Sequence, residues 1–412
     1  MSSTNGPAPK VLRLASARRR VRAFLDQIAE LEGADFPHAD GREALALIKE
    51  QFLIRKRSLS RLPPTVDDKT VDEICTDTGI FVSRYTDVLG FILRSTNVRN
   101  AFEVHFPLKR LIQKTITPDA KLVMSSEWKF VPFTYPMNLE LLDMFVLVGG
   151  PAPESGNLLI VPLAGHEIGH SAWRSNRIGR SIQPALTAAV DTAINSRAGD
   201  RDRLLAEISK IGHDLSWLQN VCLSSALQQL EELFCDMFGL YSFGHAYLYA
   251  YEYFLAPGSQ SRDIAYPASR ARVEYLRNGA QTLGLEVPDG LFEPWQDSLP
   301  KPGTAGDILS FADAAVAEVF PAVRDLTFDL LRNCQIPMAA PEAIERVKQA
   351  LSNRVPDGEG AKLSEIVTAG WLYLREKGGL SLDEDEPEHL MLNELMLKTV
   401  EVSEFLLRVE HA

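Results

Sequence analysis

The segment VPLAGHEIGHSAW, residues 161–173, constrains the fold more than any other part of the sequence. Pro162 suits the first turn of a helix, where its missing N–H group is not needed. On a helix, residues four apart lie on the same face, about 6 Å apart along the axis. We therefore expect one helix face to present His166 and His170 together, with Glu167 projecting from nearly the same face.

Two imidazoles at this spacing can bind one metal ion. Each histidine would offer one ring nitrogen, and Glu167 would lie beside a water molecule rather than on the metal. That is the arrangement of H-E-x-x-H zinc hydrolases. The spacing also arises by chance, and a catalytic zinc ion needs three protein ligands and one open position. The hypothesis therefore requires a third ligand elsewhere in the chain.

The segment EELFCDMFG, residues 231–239, offers that ligand. Glu232 and Asp236 are four apart on a predicted apolar helix, so they share a face. Glu232 would bind the metal, while Asp236 would accept a hydrogen bond from a ligand histidine and hold its ring in place. The alternative is that both acids face solvent. Their apolar neighbours argue against it, because an unpaired acid in an apolar patch is costly.

Together the two segments resemble the gluzincin metallopeptidases, in which H-E-x-x-H is followed by E-x-x-x-D. A third segment, YPASRARVEYL at residues 266–276, is similar to the His-Pro…Arg-Ile-x-x-Leu segment of one gluzincin branch. That branch contains the CAAX prenyl proteases and the heat-shock membrane proteases. The matching residues are Pro267, Arg272, Val273 and Leu276, while Tyr266 stands where the branch has histidine. The resemblance covers residues 158–278, about a third of the chain.

The resemblance implies a zincin-like catalytic domain with a small sheet. It implies a zinc ion on the two histidines and Glu232, with Glu167 as the general base. It also places Tyr266 and Arg272 against the active site, as candidate catalytic residues that could stabilise an oxyanion. For Arg272 the alternative is a pair with a structural carboxylate.

Composition narrows the class of protein. The 412 residues carry a formal net charge of −12, which disfavours a general nucleic-acid binder because phosphates would repel it. The four cysteines have no paired spacing, which argues against a disulfide framework and favours a cytoplasmic location. No stretch approaches the roughly 20 apolar residues that span a bilayer. The Arg-rich, acid-free start of the chain indicates a basic amphipathic helix or, alternatively, an organellar transit peptide.

The pattern along the chain predicts an α-rich α+β fold in three parts. Residues 1–115 form an N-terminal helical region, 116–287 the catalytic domain and 288–412 a C-terminal helical region. Strands are expected in KLVMSSEWKFVPFTY and DMFVLVGG, because both are rich in β-branched and aromatic residues. We expect the second strand to lie at the sheet edge, where it could bind an extended peptide by main-chain hydrogen bonds.

These features predict a cytoplasmic zinc metallopeptidase that acts on a peptide or protein, with no nucleic-acid partner and no membrane span. One alternative is a non-catalytic zinc-containing scaffold or regulator. Another is a hydrolase of a non-peptide amide. His245 is a further candidate for stabilising an oxyanion, although a lone histidine among aromatic residues is more often a packed core residue.

Overall fold

The protein is described from a computed structural model. This structure describes residues 9–63, 65–96, 101–128, 132–135, 139–154, 156–256, 261–293, 295, 297–299, 301–377 and 386–410.

Four helices come first, followed by the strands and then ten more helices. The N-terminal helices are α1 (Pro9–Leu31), α2 (Ala39–Ser60), α3 (Asp68–Ser95) and α4 (Ala101–Thr115). The strands are β1 (Lys121–Glu127), β2 (Phe133–Thr134) and β3 (Phe145–Pro151). The helices after the strands are α5 (Leu163–Ser175), α6 (Ile178–Ser196), α7 (Ala198–Ile208), α8 (Leu215–Phe243), α9 (His245–Leu255), α10 (Ser269–Thr282), α11 (Gly303–Asn333), α12 (Pro341–Ser352), α13 (Leu363–Glu376) and α14 (Glu386–Glu410). The predicted α-rich α+β class is confirmed.

The strands form one mixed sheet in the order β1-β3-β2. β1 runs parallel to β3, and β2 runs antiparallel to β3. The two strand segments predicted from the sequence are therefore correct. The predicted edge position of β3 is wrong, because β3 lies in the centre and is paired on both sides. The edge strand that reaches the cavity described below is the two-residue β2.

The sheet separates two hydrophobic cores. Alternate residues along a strand point to opposite faces, and both faces are buried here. Leu122 and Val146 belong to the larger core, together with buried side chains of α5, α8, α11 and α13. Val123 and Leu147 belong to the smaller core, which α1, α2 and α3 complete. The larger core continues through the C-terminal helices. The two boundaries between the three predicted domains stay a prediction.

Helix α8 is the central element of the larger core. It begins after Asp214, whose carboxylate accepts a hydrogen bond from the Trp217 backbone N–H at 2.9 Å and so caps the helix. Every residue from 232 to 243 is buried. This explains why the residues of EELFCDMFG other than its three acids are apolar, since neighbouring elements pack against them. No helix among the described residues is long and apolar enough to cross a membrane.

His105 on α4 makes the stability of the N-terminal region depend on pH. Its ring stacks on His38 at a centroid distance of 3.6 Å, and its Nε2 lies 3.7 Å from a carboxylate oxygen of Asp40. Burial and then the charge of His38 lower the pKa of His105 to about 3, although Asp40 opposes the shift. An unfolded chain, whose histidine has a pKa of about 6.5, therefore binds more protons than the folded chain below that pH.

We expect the free energy of unfolding to fall by about 2 kcal/mol between pH 7 and pH 5 through this group alone. The stabilisation is fully present above pH 6.5 and is lost as the pH falls towards 3. Urea unfolding of wild type and His105→Gln at both pH values measures it. The variant should lose that part of the pH dependence, and equal pH dependence in the two proteins would contradict the assignment.

Candidate metal centre

Two glycines allow α5 and α8 to pack closely side by side. A Cβ atom on Gly165 would lie 3.1 Å from the Cα of Gly239, and one on Gly169 would lie 2.9 Å from the Cα of Cys235. Larger residues would push the two helices apart, whereas glycine permits close backbone approach. The pairing of an early residue of α5 with a late residue of α8 shows that the helices run antiparallel. The histidines of α5 are thereby brought against the acids of α8.

The Nε2 atoms of both histidines face a single carboxylate. The Nε2 atom of His166 lies 3.3 Å from one oxygen of Glu232, and the Nε2 atom of His170 lies 3.6 Å from the other. Two ligands about 2.0 to 2.1 Å from a tetrahedral zinc ion lie about 3.3 Å apart. Each of the two separations is close to this value, and imidazole nitrogens and carboxylate oxygens are donors that zinc accepts.

The opposite nitrogen of each imidazole is held by a second carboxylate. The Nδ1 atom of His166 lies 2.9 Å from Asp236, and that of His170 lies 2.9 Å from Glu231. A hydrogen bond at Nδ1 fixes the ring orientation and directs Nε2 towards a metal. Asp236 thus occupies the place expected for it. The contact of Glu231 with His170 was not predicted from the sequence.

Asp236 is the centre of a buried polar network. It is fully buried and accepts hydrogen bonds from the Tyr247 hydroxyl at 2.8 Å and from Nε and Nη2 of Arg272 at 2.6 and 2.8 Å. Burial alone would raise the pKa of Asp236, but Arg272 and His166 outweigh it and lower the pKa. Arg272 also contacts Glu232 at 3.5 Å. Arg272 is therefore paired with a structural carboxylate, as the alternative for it predicted, while a catalytic role for Arg272 stays a prediction.

Asp236 and Glu232 also determine the protonation of His166. Burial would lower the pKa of His166, but its hydrogen bonds to Asp236 and Glu232 raise it to about 10. Burial would likewise raise the pKa of Glu232, whereas His166 and the nearby cations lower it. Without a metal, His166 is thus an imidazolium between two carboxylates. A bound cation would take over the role of that proton.

Glu167 lines the same cavity as the two histidines and Glu232. Its side chain is buried, and burial raises the pKa of its carboxyl group although both histidines oppose the shift. The cavity has a volume of about 660 Å³, and the two histidines, Glu167 and Glu232 line it. The carboxyl group can therefore exchange protons with a molecule bound there.

Tyr266 lines the same cavity from the segment before α10. Its ring centroid lies 5.4 Å from the guanidinium carbon of Arg272. The pKa of Tyr266 is raised to about 12, mainly by the negative charge of Glu232 and then by burial. The hydroxyl group therefore keeps its proton near neutral pH and can donate a hydrogen bond into the cavity.

Cys235 offers a different ligand set. One potential ligand atom from each of His166, His170 and Cys235 lies within 4.8 Å of the others. Burial raises the pKa of the Cys235 thiol well above its usual value, so the thiol is neutral. Cys235 is fully buried behind Gly169, whereas Glu232 lines the cavity. We favour Glu232 as the third ligand, because it is anionic and open to the cavity.

Two other residues differ from expectation. Tyr247 was not predicted as a site residue, but its hydroxyl group donates a hydrogen bond to Asp236. His245 does not line the cavity; it begins α9, and its Nε2 lies 2.8 Å from the Glu286 carbonyl oxygen. Neither of the two roles considered for His245, an oxyanion donor or a core residue, describes this position. No sequence periodicity distinguishes these two residues from the other aromatic and polar residues of α9.

Comparisons with protein families, curated proteins and solved structures found no match to this chain. We therefore infer its function from the geometry of the site.

Replacing Asp236 with Asn should weaken zinc binding by about 10- to 100-fold, the range for loss of a group that holds a ligand. Glu231→Gln is the matched variant, because Glu231 holds the other histidine at the same 2.9 Å distance. Only Asp236→Asn should also lower thermal stability, since it removes the charge of the nearer of the two carboxylates that contact the buried Arg272. Zinc titration and thermal unfolding measure both effects, and wild-type zinc affinity in both variants would refute the assigned contacts.

Proposed function

We propose that the protein is a zinc-dependent metallopeptidase. The proposal rests on one observation. The Nε2 atoms of His166 and His170 face the two oxygens of Glu232, and these residues line an open cavity together with Glu167. Two histidines and one carboxylate are the protein ligands of a zinc site that keeps an open position. When bound, zinc would lower the pKa of a water molecule and polarise a carbonyl group of the substrate.

The chain's own residues would move the proton. Glu167 would accept a proton from the attacking water at its carboxylate and deliver it to the nitrogen of the leaving amine. Its side chain lines the cavity and directly follows His166 in sequence, which supports this role. Tyr266 would donate a hydrogen bond to the oxygen on which negative charge develops. Asp236 would act as a positioning residue, because it contacts His166 and does not line the cavity. Arg272 lines the cavity, and it would also position Asp236 and Glu232.

Two further properties belong to the proposal. The size of the cavity suits a peptide segment as substrate. All four cysteines are free thiols, which supports a cytoplasmic location because disulfides are rare there. The rival function, a structural zinc scaffold, would need four protein ligands and would not need Glu167.

The experiment is removal and return of the metal. Purified protein is stripped with a chelator, and cleavage of an unfolded protein is followed by mass spectrometry as zinc is added back. We expect cleavage to disappear and to return as zinc approaches one ion per chain. Cleavage that survives complete zinc removal, or a zinc-loaded protein that hydrolyses no peptide, would overturn the proposal.

A further inference from the structure

Charge is divided unequally along the chain. Residues 1–61 contain twelve Lys and Arg against seven Asp and Glu, a net charge of +5. The whole chain has a net charge of −12, so the residues after 61 carry a net charge of −17. Within the first part, residues 1–25 and 51–66 together contain ten basic residues and no acidic residue. Such asymmetry is typical of proteins that bind an anionic partner with one end.

The fold brings these two segments to the same end of the N-terminal helices. The guanidinium group of Arg18 on α1 donates hydrogen bonds to the Leu59 carbonyl oxygen near the end of α2, at 3.1 and 2.6 Å. Lys10 of α1 also donates to the Val66 carbonyl oxygen beyond α2. The positive charges of the two helices therefore lie at the same end of the N-terminal region.

Most of these charges are not neutralised. Three of the ten form ion pairs with carboxylates of α3: Lys10 with Asp68, Arg13 with Asp72 and Arg55 with Asp77. The other seven are exposed and form no ion pair within the part of the chain that the structure describes. We call these seven the basic surface: Arg18, Arg19, Arg20, Arg22, Lys56, Arg57 and Arg61.

Exposed apolar side chains accompany the basic surface. Val11 and Leu12 on α1 are 55% and 53% exposed, and Leu53 and Ile54 on α2 are 38% and 39% exposed. Helical spacing puts them on the same faces as the cations. Leu12 is seven residues before Arg19, and Leu53 is four residues before Arg57. Each helix thus presents a mixed basic and apolar face.

We infer that the basic surface binds an anionic lipid membrane peripherally. Phosphate headgroups complement the seven cations, and the four apolar side chains can enter the boundary between headgroups and acyl chains. Binding to nucleic acid would use the cations but not the apolar side chains. The −17 charge of the remaining chain is repelled by the same membrane, so it orients the molecule with the basic surface towards the lipid.

Co-sedimentation with vesicles tests the inference without reference to catalysis. The probes are vesicles of phosphatidylcholine alone and of phosphatidylcholine mixed with phosphatidylglycerol. Wild type should bind only the anionic vesicles, and added salt should weaken the binding. Replacing Arg19, Arg57 and Arg61 with Gln should weaken it about 100-fold, at about fivefold for each basic residue near the surface.

The matched control replaces Arg180, Lys210 and Lys301 with Gln, which removes the same charge from exposed, unpaired positions elsewhere in the described chain. It should bind vesicles as wild type does. Leu12→Gln with Ile54→Gln should weaken vesicle binding while leaving every charge in place. Equal binding by the basic-surface and control variants would overturn the inference. So would binding of wild type to RNA or DNA oligonucleotides with none to anionic vesicles.

Discussion

The Glu167→Gln variant is expected to bind zinc like wild type and to hydrolyse substrate about 10²- to 10⁴-fold more slowly. Gln has nearly the shape of Glu but cannot accept a proton. Glu167 lies in the cavity beside the proposed ligands, so its replacement leaves their contacts in place. The loss should appear in kcat rather than in KM, because the proton moves only during the reaction.

Zinc content and thermal unfolding of the same preparation serve as controls for this variant. Unchanged zinc and an unchanged fold with strongly reduced kcat would separate an enzyme from a structural zinc protein. A Glu167→Gln protein that cleaves peptides at the wild-type rate with zinc bound would end the proposal that Glu167 is the base. Loss of zinc would instead mean that Glu167 is itself a ligand.

The second large effect is expected for Glu232→Gln, which should reduce zinc affinity by more than the roughly 100-fold limit seen for residues that only hold ligands. The substitution removes an anionic oxygen donor and leaves two neutral nitrogens for the metal. Hydrolysis should fall in parallel. Competition with a zinc chelator of known affinity measures the change.

Cys235→Ala is the matched control for Glu232→Gln. Cys235 lies one helical turn further along α8, but it is buried behind Gly169. We expect this variant to keep its zinc affinity. The reverse result, with zinc lost from Cys235→Ala and kept by Glu232→Gln, would replace Glu232 by the thiol as third ligand.

The sequence predicts those features of the site that depend on helical spacing. His166 and His170 share a face because they are four apart on one helix, and Glu232 and Asp236 share a face of another. The strands were predictable because their β-branched and aromatic residues are concentrated in short runs. The glycines at 165, 169 and 239 stood in the motifs, but their function became visible only where α5 meets α8.

Features that depend on how elements meet could not be predicted in this way. Glu231 reaches His170 because α5 and α8 run antiparallel, and no spacing within either segment encodes that direction. Tyr247 reaches Asp236 from the next helix for the same kind of reason. The central place of β3 depends on its pairing with β2, a strand of only two residues. Such pairing is decided by tertiary contacts rather than local propensity.

The most direct test of the central claim is X-ray absorption at the zinc edge on protein loaded with one zinc ion per chain. Sulfur and nitrogen or oxygen ligands are distinguishable, because zinc–sulfur bonds are about 2.3 Å long and the others about 2.0 to 2.1 Å. The account predicts a shell of two imidazoles and oxygen donors, with no sulfur. A sulfur ligand, or a shell closed by four protein ligands, would contradict it.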